Sequence, residues 1–295
     1  MREPREALPP KGSCDPAGSR AHLAGESLTD VLTDLSNDAL IDAIDRNCIG
    51  FFQRYGLGPG CELHEEADLT WFVTGILDPL FNGVMAADLA PDRVDARIDD
   101  VVAEFQRRRI PLEWSVGARS GPSDLRRRLL GKGFEHTLEV PAMAIDLRQL
   151  PDEAPPKGFT FTRARSDGEL KECLGIALTT FEIPAAFTPR LLEIEKAMPA
   201  EQKTLARHFL GRLHGRPVAT AELFTAAGVA GLYFVGTVAE ARGRGLGRAV
   251  TLAALREAQN MGYRVGVLQA TEMGAPVYRR LGFRELYTMG VYLSR

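Results

Sequence analysis

The hydrophobic positions of this chain follow two periods, which predict strands and helices in succession. Helical spacing of apolar residues predicts helices at 37–55, 94–109 and 246–261. Short apolar or alternating runs rich in β-branched residues predict strands near 63 and at 71–76, 112–116, 137–147, 218–224, 232–238, 263–269 and 286–293. Strands interleaved with helices are typical of an α/β fold with a mixed sheet.

The second half of the sequence repeats the order of elements of the first half. A strand, a short Arg-rich helix, Gly133-Phe134 and a further strand precede the segment 148–158, which is rich in proline and charge. The same order returns around Gly282-Phe283. A repeat of this length indicates two copies of one domain. We therefore predict a disordered tail at 1–26, domains at 27–150 and 159–295, and a linker at 151–158.

A glycine-rich turn joins the predicted strand 232–238 to the predicted helix 246–261. Free amides and the dipole at a helix start favour an anion. The three glycines let a ligand approach the backbone, and three arginines add positive charge. These residues are Gly243, Gly245 and Gly247 with Arg242, Arg244 and Arg248. The turn lacks the Gly-Lys-Ser/Thr of a Walker loop, and its glycine spacing departs from the dinucleotide fingerprint.

Two motifs together resemble the GNAT superfamily of acetyl-CoA-dependent N-acetyltransferases. Arg242-x-x-Gly-x-Gly247 is similar to its acyl-CoA loop, and Tyr278 followed by Gly282-Phe283 is similar to its closing pattern. The resemblance covers about 159–295. It implies two tandem GNAT-like domains, each with a central, mostly antiparallel sheet flanked by helices, and acetyl-CoA as cosubstrate.

The resemblance also implies roles for individual residues. Tyr278 would protonate the thiolate that leaves when an amine attacks the thioester directly. The amide of Val238 would polarise the thioester carbonyl. The strand edge of Gly236, Thr237 and Val238 would pair with the pantetheine arm. Thr271, where many members have an asparagine, would also contact the pantetheine. The pyrophosphate would be bound by the residues of the loop, which are Arg242, Gly243, Arg244, Gly245, Leu246, Gly247 and Arg248.

The first copy lacks the residues of this site. Asp92 and Asp95 stand where the second copy has its glycines, and they would cap the helix and repel a phosphate. Leu129 stands in the place of Tyr278. We predict that the N-terminal copy has lost acyl-CoA binding.

The general base is the least defined part of the predicted site. Some GNAT members use a glutamate where this chain has Gly231, and the nearest acid is Glu222. Glu222 is either solvated on the outer face or a base with a raised pKa, and a chain of water molecules is the alternative. Phe181 and Phe187 would form an apolar wall for the acceptor, with Glu182 attracting an amine or lying on the surface.

Composition limits the possible partners. The net charge of −3 does not predict a basic surface for nucleic acid or an anionic membrane. The arginines of 107–109 and 126–128 are expected on solvated helix faces. The four cysteines lack metal-ligand spacing, so we expect reduced thiols, no metal and a cytoplasmic protein. The expected partner is a small-molecule amine, and a homodimer is left open. A CoA-binding regulatory or scaffold protein without catalysis is the alternative function, and a nucleotide-dependent oxidoreductase is a third.

Overall fold

The computed structural model describes residues 31–294, so the predicted tail 1–26 and Cys14 lie outside the described residues. The described residues contain eleven strands in one continuous sheet. The strands are β1 (Glu62–Glu65), β2 (Leu69–Val73), β3 (Asn82–Ala87), β4 (Glu113–Val116), β5 (Phe134–Asp146), β6 (Phe159–Arg163), β7 (Ala206–Leu213), β8 (Arg216–Ala226), β9 (Val229–Thr237), β10 (Val265–Gln269) and β11 (Arg284–Ser294). Their order across the sheet is β1-β2-β3-β4-β11-β5-β10-β9-β8-β7-β6.

Helices cover both faces of this sheet. They are α1 (Asn37–Gln53), α2 (Val94–Arg108), α3 (Leu125–Gly131), α4 (Asp167–Thr180), α5 (Thr188–Ala197), α6 (Ala200–Leu205), α7 (Leu246–Asn260) and α8 (Ala275–Leu281). One apolar core joins α1, α4 and α5 to the sheet. Two further cores on the opposite face hold α2 and α3 in the first half and α7 and α8 in the second.

The predicted α/β class with a mixed sheet is confirmed. Among the strands of residues 31–294, only the pairs β3–β4 and β9–β10 are parallel, and the other neighbours are antiparallel. The predicted helices 94–109 and 246–261 correspond to α2 and α7, each with its last residue one position earlier. Within residues 31–294, no helix has the length and apolar character needed to cross a membrane.

The two halves exchange their last strands. β5, from the first half, pairs with β10 of the second, while β11, from the second half, pairs with β4 of the first. β5 and β11 also pair with each other along most of their length, antiparallel. The sheet therefore runs across the predicted boundary at 151–158, and the division into two domains stays a prediction.

Two local expectations in the first half are wrong. The start of α2 has no side-chain cap, because Asp95 pairs with Arg128 of α3 at 2.7 Å instead. The arginine runs are only partly solvated, since Arg108 forms ion pairs with Glu62 and Glu104. Arg126 likewise donates to the Thr288 carbonyl of β11 at 3.0 Å. These partners are distant in sequence, except Glu104, so periodicity alone does not reveal them.

Candidate active site

The two parallel strands of the second half separate where the glycine turn begins. β9 pairs with β10 from Ala230–Leu232 to Gly266–Leu268. Beyond this point β9 stays paired with β8 as far as Thr237, and β10 stays paired with β5. Residues 233–237 therefore present one strand edge to the gap between β9 and β10, as the family resemblance implies. An open strand edge can accept an extended ligand.

A β-bulge deforms β9 inside this gap. Phe234 has a φ of 46°, and the register with β8 shifts between Thr220 and Glu222. Such a backbone conformation is strained for an aromatic residue, and bulges often re-aim groups beside functional sites. The Phe234 ring lies 5.6 Å from the ring of Phe181 and 5.9 Å from that of Phe51 on α1. The aromatic rings around the bulge therefore come from both halves of the chain.

The amide that we assigned to the thioester carbonyl is already occupied. The Val238 N–H donates to the Val218 carbonyl at 2.9 Å, so it cannot polarise a ligand. Hydrogen bonds alternate in direction along an antiparallel pair, which turns the Thr237 amide to the other side, toward the gap. Thr237 therefore replaces Val238 as the candidate donor.

The glycine turn has the backbone shape that its sequence predicts. Gly243 and Gly245 adopt φ values of 76° and 75°, a left-handed conformation that side chains disfavour. α7 then begins at Leu246, whose side chain is buried, so its amide alone can contact a ligand. An added Cβ at Gly247 would lie 3.2 Å from Thr237 Oγ1. The turn and the end of β9 are therefore closely packed.

The three arginines of the turn have different surroundings. Arg242 folds back, and its Nε donates to the Thr237 carbonyl at 3.0 Å. Arg244 is exposed. Arg248 forms a two-pronged ion pair with Glu153 of the linker, at 2.8 and 2.6 Å. A phosphate must compete with this carboxylate for Arg248.

A buried hydroxyl without a partner lies beside the strand edge. An added Cβ at Gly236 would lie 2.6 Å from Thr180 Oγ1 at the end of α4. This hydroxyl has no hydrogen-bond partner among the described residues. A buried hydroxyl normally finds a partner, so a ligand group is a reasonable one here. Nothing in the spacing of the sequence indicated Thr180.

Tyr278 lies buried on α8, 9% exposed, in edge contact with Phe283. Burial raises the pKa of its hydroxyl, and the neighbouring Thr251 hydroxyl lowers it only in part. The hydroxyl therefore keeps its proton at neutral pH, as a general acid requires. Thr271 accepts from the Gly274 amide at 3.1 Å and so holds the turn before α8. Its hydroxyl proton stays available for a ligand.

Glu222 points into the protein and is tied to a cation from the first half. It is 2% exposed and forms an ion pair with Arg54, which follows α1. Arg54 also binds Glu195 of α5 through two hydrogen bonds, at 3.0 and 2.9 Å. Burial is the largest influence on Glu222 and raises its pKa, against the opposing effects of Arg54 and His208. The expectation of a solvated Glu222 is therefore wrong, and its role as the base stays a prediction that the ion pair with Arg54 constrains.

Three possible metal ligands meet in the same cluster. Their ligand atoms lie within 4.8 Å of one another; the residues are Glu195, His208 and Glu222. The Arg54 guanidinium already forms ion pairs with both carboxylates, so a divalent cation would meet a positive charge there. We therefore describe the group as a buried ion-pair cluster.

The space beside Gly231, where some family members have a glutamate, is occupied by a side chain from the first half. An added Cβ would lie 2.0 Å from Asn47 Oδ1 of α1, which accepts from the Tyr233 hydroxyl at 2.7 Å. Asn47 Nδ2 in turn donates to the Ala226 carbonyl at 3.0 Å. α1 thus occupies the space that a glutamate would need.

Gly231→Ala is expected to destabilise the protein. The new methyl group must displace Asn47, which costs about 1–3 kcal/mol for an overpacked core. Urea unfolding measures this free energy. Gly175→Ala in α4 is the matched control, because an added Cβ there meets nothing within 4 Å and should leave stability equal or higher. An unchanged Gly231→Ala midpoint would show that α1 does not pack tightly on β9.

Comparison with known proteins identifies the second half. Residues 177–283 match the acetyltransferase (GNAT) family model. No curated protein matches the sequence. A GCN5-related N-acetyltransferase from Kribbella flavida is similar in structure, with a TM-score of 0.67, 20% identity, and coverage of 85% of this chain and 95% of that one.

Two further solved structures extend the likeness over both halves. A GCN5-related N-acetyltransferase from Sphaerobacter thermophilus has a TM-score of 0.58 and 18% identity, over 79% of this chain and 82% of that one. A tandem GNAT protein from the clavulanic acid biosynthesis pathway has a TM-score of 0.52 and 14% identity, over 85% and 95%. Identities this low show the fold. Residues 177–283 therefore form a GNAT acetyltransferase domain.

Proposed function

We propose that this protein transfers an acetyl group from acetyl-CoA to a primary amine, in the second half of the chain. The observation that carries the proposal is the gap between β9 and β10, which lies between the glycine turn and Tyr278. The family match supports acyl transfer in general. The small-molecule amine and the acetyl donor are the parts that we add.

The chemistry needs one bond formed and one broken. The amine nitrogen attacks the thioester carbonyl, and the oxyanion that forms accepts a hydrogen bond from the Thr237 amide. When the C–S bond breaks, Tyr278 gives its proton to the CoA thiolate, and the proton that the attacking nitrogen then loses restores the Tyr278 hydroxyl. The attacking ammonium must first lose a proton, since its pKa lies near 10. Water in the gap takes this proton, because Arg54 holds Glu222.

The same ion pair favours the second candidate function. A protein with the acyl-CoA turn but with its nearest acid locked would bind CoA as a regulatory or scaffold protein without turnover. Assay of free thiol with a panel of amines separates the two functions. Thiol release supports transfer, whereas CoA affinity without release with any amine supports the scaffold.

Gly245→Glu is expected to abolish acetyl-CoA binding. The carboxylate would stand among the amides that receive the pyrophosphate, and it would force a side chain into a left-handed backbone. Calorimetric titration should find one site per wild-type chain and a loss of affinity of at least about 100-fold in the variant, since several charge-assisted hydrogen bonds disappear together.

Two control variants isolate the cause. Gly168→Glu places the same charge in the first turn of α4, outside the gap, and should bind normally. Gly245→Asn keeps the left-handed backbone, because asparagine tolerates it, and should retain most of the affinity. Two sites per wild-type chain would contradict the prediction that the first half has lost acyl-CoA binding. No site would remove the acetyltransferase proposal.

A further inference from the structure

A cavity of about 130 Å³ that opens to solvent lies between the linker and the start of α7. Its apolar walls come from Pro155 and Pro156 of the linker, Phe161 of β6 and Leu252 of α7. The Phe161 side chain is 37% exposed, which is unusual for a large aromatic residue. Gly245 of the glycine turn also lines the cavity, so the predicted phosphate site opens directly into it.

Two arginines of α7 border the same cavity and hold the linker. Arg256 Nη2 donates to the Pro151 carbonyl at 3.0 Å and to the Glu153 carbonyl at 3.2 Å. Arg248 holds the Glu153 carboxylate with two hydrogen bonds. The two arginines are eight residues apart, about 12 Å along the helix. Prolines and an aromatic face beside two cations form the kind of surface that receives a planar base and a phosphate.

We propose that this cavity receives the nucleotide end of acyl-CoA, and that Glu153 acts as an internal anion which the ligand displaces from Arg248. The inference rests on the proposed function and adds the part of the ligand that the linker recognises. The adenine ring would lie between Phe161 and the prolines. Arg256 would bind the 3′-phosphate, and Arg248 the pyrophosphate once Glu153 leaves. The linker of this chain therefore takes part in cosubstrate binding.

Charge explains why Glu153 of the linker binds Arg248 and why a pyrophosphate can displace it. Glu153 supplies one negative charge to Arg248, and the ion pair is about half exposed on the glutamate side. Exposed ion pairs contribute little net free energy. A pyrophosphate brings more negative charge and also contacts the helix amides, so it outcompetes one carboxylate.

The experiment compares CoA with 3′-dephospho-CoA by calorimetric titration. Arg256→Gln should weaken CoA about tenfold, as expected for the loss of one charge-assisted hydrogen bond, and leave 3′-dephospho-CoA within twofold of wild type. Glu153→Gln should tighten both ligands by about threefold or more, because Arg248 is released from its competitor. Arg148→Gln, which removes an exposed arginine that pairs with Asp146 just before the linker, should change neither.

The outcomes separate this inference from the proposed function. Equal losses for both ligands in Arg256→Gln would overturn it, because Arg256 would then only hold the linker. Weaker or unchanged binding of both ligands by Glu153→Gln would overturn the claim that Glu153 competes with the ligand for Arg248. If wild type binds no acetyl-CoA, the proposed function fails by itself. Binding of 3′,5′-ADP that is weakened by Arg256→Gln would still support the nucleotide site in that case.

Discussion

Tyr278→Phe should lower kcat by about 100-fold or more, because the departing thiolate loses its proton donor. The KM for acetyl-CoA should change little, since the hydroxyl contributes only as the C–S bond breaks. Steady-state kinetics with the best amine of the screen measure both constants. The buried ring contacts Phe283 in either variant, so the fold should remain intact.

A structural role for Tyr278 would give a different result. Acyl donors with a more acidic thiol need less protonation, so the deficit of Tyr278→Phe should shrink with them if the residue is an acid. Tyr292→Phe, at a buried tyrosine of β11 in the core of the first half, should keep full activity. An unchanged kcat in Tyr278→Phe would assign the proton to water.

Arg54→Met should lower the free energy of unfolding by about 3–5 kcal/mol, the usual cost of leaving buried charges without their partner. Glu195 and Glu222 are 6% and 2% exposed and would then face each other. Burial opposes the ionisation of Glu195, but Arg54 and His208 outweigh it and hold its pKa at about 2. Urea unfolding measures the loss.

Two further variants test this explanation. Arg107→Met removes an exposed arginine that pairs with Glu104 and should cost at most about 0.5 kcal/mol. Replacing Arg54, Glu195 and Glu222 together by Met, Leu and Leu should recover most of the stability, because no carboxylate or guanidinium of the cluster is then left without a partner. If the triple variant is as unstable as Arg54→Met, packing rather than charge explains the loss.

The sequence pattern predicted the features that depend on residues close together in the chain. The glycine turn, the start of α7 at Leu246 and the short helix around Tyr278 follow from residues within a few positions of one another. β9 extends three residues before the predicted strand, to Val229, because its first residues pair with β8. The candidate roles of these residues stay predictions.

Contacts between distant segments could not be predicted in this way. Arg54 and Glu222 are 168 positions apart, and no periodicity connects them. Val238 was assigned to the ligand because the sequence does not show that Val218 accepts its hydrogen bond. The bulge at Phe234 could not be predicted either, because a phenylalanine gives no sign in the sequence of a left-handed backbone. Each of these features depends on the whole sheet.

The exchange of last strands limits how such a chain can be shortened during evolution. A gene that lost its first half would also lose β5, and β10 would be left with an unpaired edge beside the candidate active site. It would also lose Asn47, which fills the space beside Gly231, and Arg54, which forms the ion pair with Glu222. The half without the glycine turn is thus retained because the other half depends on it for a paired strand and a filled core.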